Sequence, residues 1–485
     1  MARTTRKPAV QQANPSRATK SRSKNSPRRQ SADPSPPAGL LVGQTQYSPL
    51  LAHPLAARLV ALARSEVFGP ALKLAGPTTP KKIHLLTLTD IDYADRQSLP
   101  GRPTRGALCF IVICDQCEAR GMSQNKILIA GGTGLVGSAV VRHFEQIPDW
   151  EVVAVSRRRP AGLRRATHVS VDLEDAAHCA EVFGAMTDVT HVCYAALYEV
   201  AGQLIQGWRA RDQMQTNLAM LRNLFDPLER AATGLQHITF LQGTKAYGIH
   251  LEPLRAPARE QWPRHDHENF YWLHQDYIAE KQRGKRWTWT ILRPQLTVGQ
   301  AIKGNLNVLA ALGVFAAVER EAGKPLSYPG GPPLLCEAVD ADLLARAMEW
   351  AATTPACGNE VYNIANGDVM AIAYVWPTLA ECFGMHVGRP KPLSLAEELP
   401  RRQREWAACV AKYDLVAPQS IPEFIGESAE FTDFTMATGF SESPPPILVS
   451  TIKARLHGFH DCIDTEDMFR KWIRRYQEAR LLPPL

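Results

Sequence analysis

The sequence predicts an α/β protein: a doubly wound parallel sheet, followed by a smaller region and preceded by a long extension. Three observations carry that expectation. Short apolar runs alternate with amphipathic segments from residue 126 onward. The first run leads into Gly131, Gly134 and Gly137, spaced three apart, just before an amphipathic stretch. The residues upstream have a different composition from everything that follows.

Residues 126–130 read as the first strand and 135–146 as its helix, with the glycines forming the turn between them. A turn without Cβ atoms lets backbone N–H groups approach a pyrophosphate, and the positive end of the helix faces its charge. Many strand–helix turns carry glycine, so the pattern is weak alone. The second strand, 151–155, strengthens it, because it ends in Ser156, Arg157, Arg158 and Arg159. A site that prefers NAD usually places a carboxylate near this strand end, whereas guanidinium groups suit a 2′-phosphate. The expected cofactor is therefore NADPH in a Rossmann-type site. The plainer alternative is a solvated basic loop beside a structural glycine turn.

The alternation continues with strands at 168–173, 190–194, 237–241 and 287–292, and helices at 176–185, 211–231 and 270–281. In the long helix Met214, Leu218, Leu221, Phe225 and Leu228 recur at three- and four-residue steps, so one face is buried. Such strand–helix alternation means a parallel sheet. The pattern loosens after about residue 299, with a loop at 329–333, a helix at 340–352 and a terminal helix near 465–480. The expected division is a basic, low-complexity, disordered extension over 1–121, an NADP-binding domain over 122–300, and a substrate-binding region over 301–485 interwoven with the last strands.

The whole-chain charge of +7 is misleading. Residues 1–121 carry 18 Lys/Arg against 7 Asp/Glu, while residues 122–485 carry 37 against 41. The basicity belongs to the extension, so no nucleic acid is expected on the folded body. No apolar window reaches the length of a membrane span, and no membrane association is expected. The ten cysteines lack a framework and read as free thiols of a reducing compartment, here the cytoplasm. Cys114 and Cys117 form one C-x-x-C with no second pair. The extension itself has three open readings: residues upstream of a start at Met122, an organelle-targeting segment, or a basic interaction arm. A homodimer is compatible with all of this.

In a doubly wound sheet, ligands lie at the carboxyl ends of the strands. Asp172 falls at one such end, facing an adenine edge or capping the next helix. Residues 194–197 fall at another, where small side chains let backbone approach a cofactor. Lys245 follows strand five, and Tyr271 lies at a helix start. A hydride-accepting substrate needs a group that stabilises the developing oxyanion. A phenol near a cation can supply it, because the charge lowers the phenol pKa. The plainer readings are a surface lysine and a core aromatic. His265, Asp266 and His267 lack a third ligand at a suitable spacing, so no metal is expected.

With those motifs in view, the chain resembles the short-chain dehydrogenase/reductase superfamily, and within it the progesterone 5β-reductase/iridoid synthase-like enoate reductases. The usual Tyr-x-x-x-Lys is missing, since Gln275 stands four residues after Tyr271. The enoate reductases instead carry an Asn-Phe-Tyr motif and an earlier strand-end lysine. Here these read Asn269, Phe270, Tyr271 and Gln242 through Gly248, including Lys245. Residues 155–158, 359–368 and 453–472 also resemble family segments, so the likeness spans about 125–485. Ala246 replaces the family's histidine and Gln275 an acid.

The resemblance implies NADPH-dependent 1,4-reduction of an α,β-unsaturated carbonyl, a small-molecule substrate, with Tyr271 and Lys245 stabilising the enolate. It implies a cofactor held by Gly131, Thr133, Gly134, Leu135, Val136, Gly137, Arg157, Arg158, Asp172 and Leu173. Asn217, on the long helix, supports the site or is a buried structural amide. Two other functions stay open: an epimerase or carbonyl reductase of the same superfamily, and a non-catalytic NADP sensor.

Overall fold

The computed structural model describes residues 125–485 and the backbone of two short strands, Ile83–Leu86 and Ile111–Cys114. Those two strands pair antiparallel, Ile83 opposite Cys114, in a unit separate from the body. The expected disorder upstream, the three readings of the extension and the Cys114–Cys117 pair otherwise lie outside the described residues.

The body is organised around a seven-stranded sheet. Its strands are β1 (Asn125–Ala130), β2 (Trp150–Val155), β3 (Thr167–Val169), β4 (His191–Tyr194), β5 (His237–Leu241), β6 (Thr288–Pro294) and, two strands later, β9 (Glu360–Ile364). Between them in sequence, β7 (Leu296–Val298) and β8 (Ala338–Asp340) form a separate parallel pair. The order across the large sheet is β9-β6-β5-β4-β1-β2-β3, all parallel. The direction of winding reverses between β1 and β4, and ligands of doubly wound sheets bind at such a switch point.

Alternate residues of the strands feed two cores. Ile127 and Ile129 face one side, and Leu128 and Ala130 the other. The second core is covered by α2 (Ala176–Gly184), α4 (Arg211–Ala231) and α5 (Phe270–Gln282), with the one-turn α3 (Leu204–Gly207) leading into α4. The predicted apolar face of α4 is the buried one, from Met214 to Leu228. On the first side lie α1 (Leu135–Phe144), α6 (Val308–Glu321) and α7 (Ala341–Thr353).

Helix α6 departs from the expectation of a weakly patterned region after residue 300. Every residue from Val308 to Val318 is buried, so the helix is apolar all round and shows no amphipathic period. Helices α8 to α13 (Trp376–Cys382, Leu395–Arg401, Gln403–Lys412, Ile421–Ile425, Ser428–Thr435 and Ile452–Leu456) and the terminal α14 (Thr465–Glu478) complete the region. The expected third strand, 168–173, is shorter than predicted: β3 ends at Val169, and the residues beyond it form the cleft wall.

Helix α14 returns to fix the cleft's floor. The Tyr476 hydroxyl accepts from Asn307 Nδ2 at 2.8 Å and from the Ala301 amide at 3.2 Å, holding the loop before α6. Trp472 Nε1 donates to the buried Asp340 at 2.8 Å, and Asp340 also caps α7. Among the described residues, no helix is long and apolar enough to cross a membrane.

Candidate active site

A cleft of about 630 Å³ opens at the carboxyl ends of the strands. One end is built by the glycine turn. Gly131 has φ 83°, and a Cβ there would lie 2.7 Å from the Ala195 carbonyl oxygen; at Gly137 one would collide with the Gly131 carbonyl. Both positions admit only glycine, one for its backbone conformation and both for close approach. The amides of Gly131 and Gly132 donate to the Val155 carbonyl at 2.9 and 3.1 Å, which ties the turn to the end of β2. Helix α1 then begins with no side-chain cap and no acid in its first turn. Its leading N–H groups and positive end are therefore free to meet a phosphate. These are the cradle and the charge that a dinucleotide requires.

Gly131, Thr133, Gly134, Leu135 and Val136 line this end of the cleft, with Arg157, Asp172 and Leu173 across from them. Gly137 lies behind the turn and Arg158 points to solvent, both outside the lining. Arg157 is mostly exposed, and its nearest acid is Asp172, 4.0 Å away. The basic loop is held from beneath. Buried Glu145 accepts the amides of Arg164, Arg165 and Ala166 at 2.7 to 2.8 Å. Asp172 does not cap α2; Asp175 does, accepting from the His178 amide at 3.0 Å. Two residues separate the two acids, and Asp172 stays in the cleft lining.

At the other end stand Lys245, in a 3₁₀ turn (Thr244–Tyr247), and Tyr271, in the first turn of α5. The Lys245 Nζ lies 5.8 Å from the centre of the Tyr271 ring. Tyr271 is buried, with its hydroxyl over Gly243, where an added Cβ would stand 3.4 Å from it. Asn269 joins the two segments. Its Oδ1 accepts the Tyr271 amide at 3.0 Å, and its Nδ2 donates to the Lys245 carbonyl at 3.2 Å. Gln242 adds a second tie, donating to the Tyr271 carbonyl at 3.1 Å while accepting from buried Arg293 at 2.8 Å.

The electrostatics correct one expectation. The Tyr271 phenol is held up, not down: burial raises its pKa, Glu199 adds to this, and Arg293 pulls the other way. The ammonium is not among the groups that lower it; Lys245 Nζ stands against the Trp208 face, 4.1 Å from that ring's centre. Tyr271 is thus a hydroxyl donor throughout the neutral range. Lys245 itself is pushed down to about 8 by burial, against an upward pull from Glu199.

Asn217 is wholly buried, and it holds the loop after β4 by accepting the Tyr198 amide at 3.0 Å and donating to the Tyr198 carbonyl at 2.9 Å. Its own carbonyl meets His274, one turn beyond Tyr271. Ala246 sits in an apolar cluster with Met214, Phe270 and Trp272. Gln275 lies 3.5 Å from the Gln242 amide group. His265 meets Glu252 and His267 meets Asn269, and among the described residues no group of three His, Cys, Asp or Glu is arranged to hold a metal. Glu199, Trp208 and Asn305 also line the cleft and were not anticipated. They sit in irregular loops, where side-chain direction has no period; a lone acid five residues past a strand end was the only sign of Glu199.

Comparisons with known proteins agree with this geometry. The profile of the NAD dependent epimerase/dehydratase family matches residues 127–365. The chain is 29% identical to a (S)-8-oxocitronellyl enol synthase of Catharanthus roseus, over 73% of this chain and 92% of that protein. It is 30% identical to such an enzyme, CYC2, of Camptotheca acuminata, over 60% and 78%. It is 28% identical to a 3-oxo-Delta(4,5)-steroid 5-beta-reductase of Arabidopsis thaliana, over 76% and 96%. A crystal structure of a UDP-glucose 4-epimerase shares the fold, with a TM-score of 0.52 at 13% identity, covering 73% of this chain and 98% of that one. The chain belongs to the NAD dependent epimerase/dehydratase family and, within it, to the oxidoreductase branch of the progesterone 5β-reductase/iridoid synthase-like enzymes.

Proposed function

We propose that this enzyme reduces the C=C bond of an α,β-unsaturated carbonyl with NADPH. The observation that carries the reading is the convergence of a buried, unionised phenol and an ammonium on one cleft whose other end is the glycine cradle. Relatives named as a steroid 5β-reductase and as 8-oxocitronellyl enol synthases support it. When bound at the cradle, NADPH would supply the hydride for the β-carbon, and a proton taken up from water at the α-carbon of the enolate would complete the reduction. Tyr271 holds the carbonyl oxygen by a hydrogen bond that strengthens as the oxygen becomes an enolate. Lys245, half-buried in the same cleft, adds positive charge on the side of that oxygen. The lysine comes from the strand-five turn and not from α5, since position 275 holds glutamine. That departs from the Tyr-x-x-x-Lys pattern of alcohol and ketone chemistry.

NADPH preference rests on Arg157, which faces the cleft without a tight carboxylate partner. Arg158, one residue on, adds long-range charge from solvent. Replacing Arg157 by alanine is expected to weaken NADPH far more than NADH in fluorescence titrations. Equal weakening of both would reject the 2′-phosphate assignment.

The deciding assay follows NADPH oxidation by the full chain with 2-cyclohexen-1-one and with cyclohexanone, alongside Tyr271→Phe. The enone should be consumed, and the variant should lose about 10²–10³-fold in kcat with NADPH affinity unchanged. Turnover of the ketone alone would overturn the proposal.

A further inference from the structure

Lys245 is held in an unusual way. Lys245 is half-buried at the cleft, where an ammonium ordinarily meets a carboxylate, yet it makes no ion pair among the described residues. Its Nζ instead sits over the indole of Trp208, nearer to that ring than to Tyr271. We propose that Trp208 and Glu199 are positioning residues for Lys245: the indole face holds the ammonium, and the Glu199 carboxylate supplies its counter-charge without pairing with it. The inference rests on the reading of Lys245 as part of the reductase site and extends it.

The surroundings are built for this. The indole is clamped edge-on by His250 and Phe434, with ring centres 6.4 and 6.1 Å away. Glu199 Oε1 and Trp208 Nε1 are both buried and without a hydrogen-bond partner among the described residues. Burial raises the Glu199 carboxyl, and Lys245 and Asn305 pull it back toward the ionised form. The other carboxylate oxygen accepts from Asn305 Nδ2 at 3.2 Å. Asn305 in turn accepts the Glu427 amide at 3.2 Å, and Glu427 accepts the Gly202 amide at 2.6 Å. Two residues of α4 anchor the loop between Glu199 and Trp208. Gln213 accepts the Val200 amide at 3.0 Å, and Asn217 grips Tyr198. Gly207 lets the chain press onto Gln213, since a Cβ there would lie 2.5 Å from Gln213 Oε1.

The arrangement has a chemical reason. A carboxylate in contact with Lys245 would cancel its field at the oxygen bound to Tyr271. A π face holds the cation through the ring quadrupole and leaves its charge uncompensated. A carboxylate at a distance still favours the charged amine against burial. The titratable and charged groups around Lys245 are Glu199 from the loop after β4 with Glu427 behind it, Tyr271 from α5 with Arg293 of β6 beside it, and His250 from the loop after the 3₁₀ turn with His267, His265 and Arg209 behind it. Burial keeps His250 neutral, down at about 4, and keeps Tyr271 protonated, so neither changes charge as Lys245 titrates.

The test reads Lys245 directly. Reductive ¹³C-methylation of the full chain gives lysine resonances, and Lys245→Arg identifies the one in question. Its midpoint, expected near 8, should fall in Trp208→Leu and in the isosteric Glu199→Gln. Trp208→Phe should preserve it, and Glu199→Asp should restore much of it. The basic limb of enone reduction should move down in step, with kcat at pH 8 reduced about tenfold in Trp208→Leu and NADPH affinity unchanged. A midpoint unmoved in both Trp208→Leu and Glu199→Gln overturns the proposal, as does a uniform loss of rate at every pH. Should Trp208→Leu fail to fold, Glu199→Gln alone decides. The resonance titrates whether or not an enone is the substrate, so failure of the reductase reading is separately visible.

Discussion

Asn269 reaches both halves of the proposed Tyr271–Lys245 pair with one side chain. Its Oδ1 caps α5 on the Tyr271 amide, and its Nδ2 is shared between the Lys245 carbonyl and the His267 ring. The two roles separate by mutation. Asn269→Asp keeps the capping oxygen but loses both donations, so stability should change little while kcat falls. Asn269→Ala removes the cap as well and should cost about 1 kcal/mol in urea denaturation. Equal kcat in wild type and Asn269→Asp would show that the cap alone matters. Tyr271 and Lys245 could be picked out because each sits beside a regular element. Asn269 stood beside Tyr271 in the same motif, but its reach to Lys245 spans 24 residues and no local pattern encodes it.

At the scale of elements, the glycine turn is the least tolerant part. Gly137→Ala would drive a methyl into the Gly131 carbonyl, which is backbone and cannot swing aside. The turn must then deform, so dinucleotide affinity should fall at least tenfold by fluorescence titration. Gly134→Ala meets that same oxygen only at 3.2 Å and should be milder. If the two variants bind alike, close approach is not what position 137 requires. These glycines and the helix α4 were legible in the sequence because period and punctuation are local: α4 spans the predicted 211–231. Helix α6 was not, because a helix buried on every side has no contrast to read. The loop carrying Glu199 and Trp208 was hidden for the opposite reason, having no period at all. Its conformation is imposed by Gln213 and Asn217 from another element.

Taken whole, the molecule carries neutral histidines inside its sheet. His191 and His237 are register partners on β4 and β5, both buried, and burial holds them down at about 4 and 3. His237 is also lowered by His191, so two charges cannot easily coexist there. His274, beside Asn217 on α5, is likewise held at about 4 by burial. In each case the folded pKa lies below the unfolded value of 6.5. The unfolded chain therefore takes up protons first, and stability is lost as pH falls from about 6.5 towards 4. Each such histidine contributes roughly 1.4 kcal/mol per pH unit well inside that window. Glu337, Glu199 and Glu430 act in the other direction, their carboxyls raised by burial, Glu337 to about 7, while His250 and His267 are lowered and add to the histidine effect. Melting temperature should consequently drop steeply between pH 6.5 and 4.5, and His237→Asn should flatten the slope even if it lowers stability at pH 7.5. A melting temperature constant down to pH 5 would mean that these rings are solvated or already charged in the folded protein.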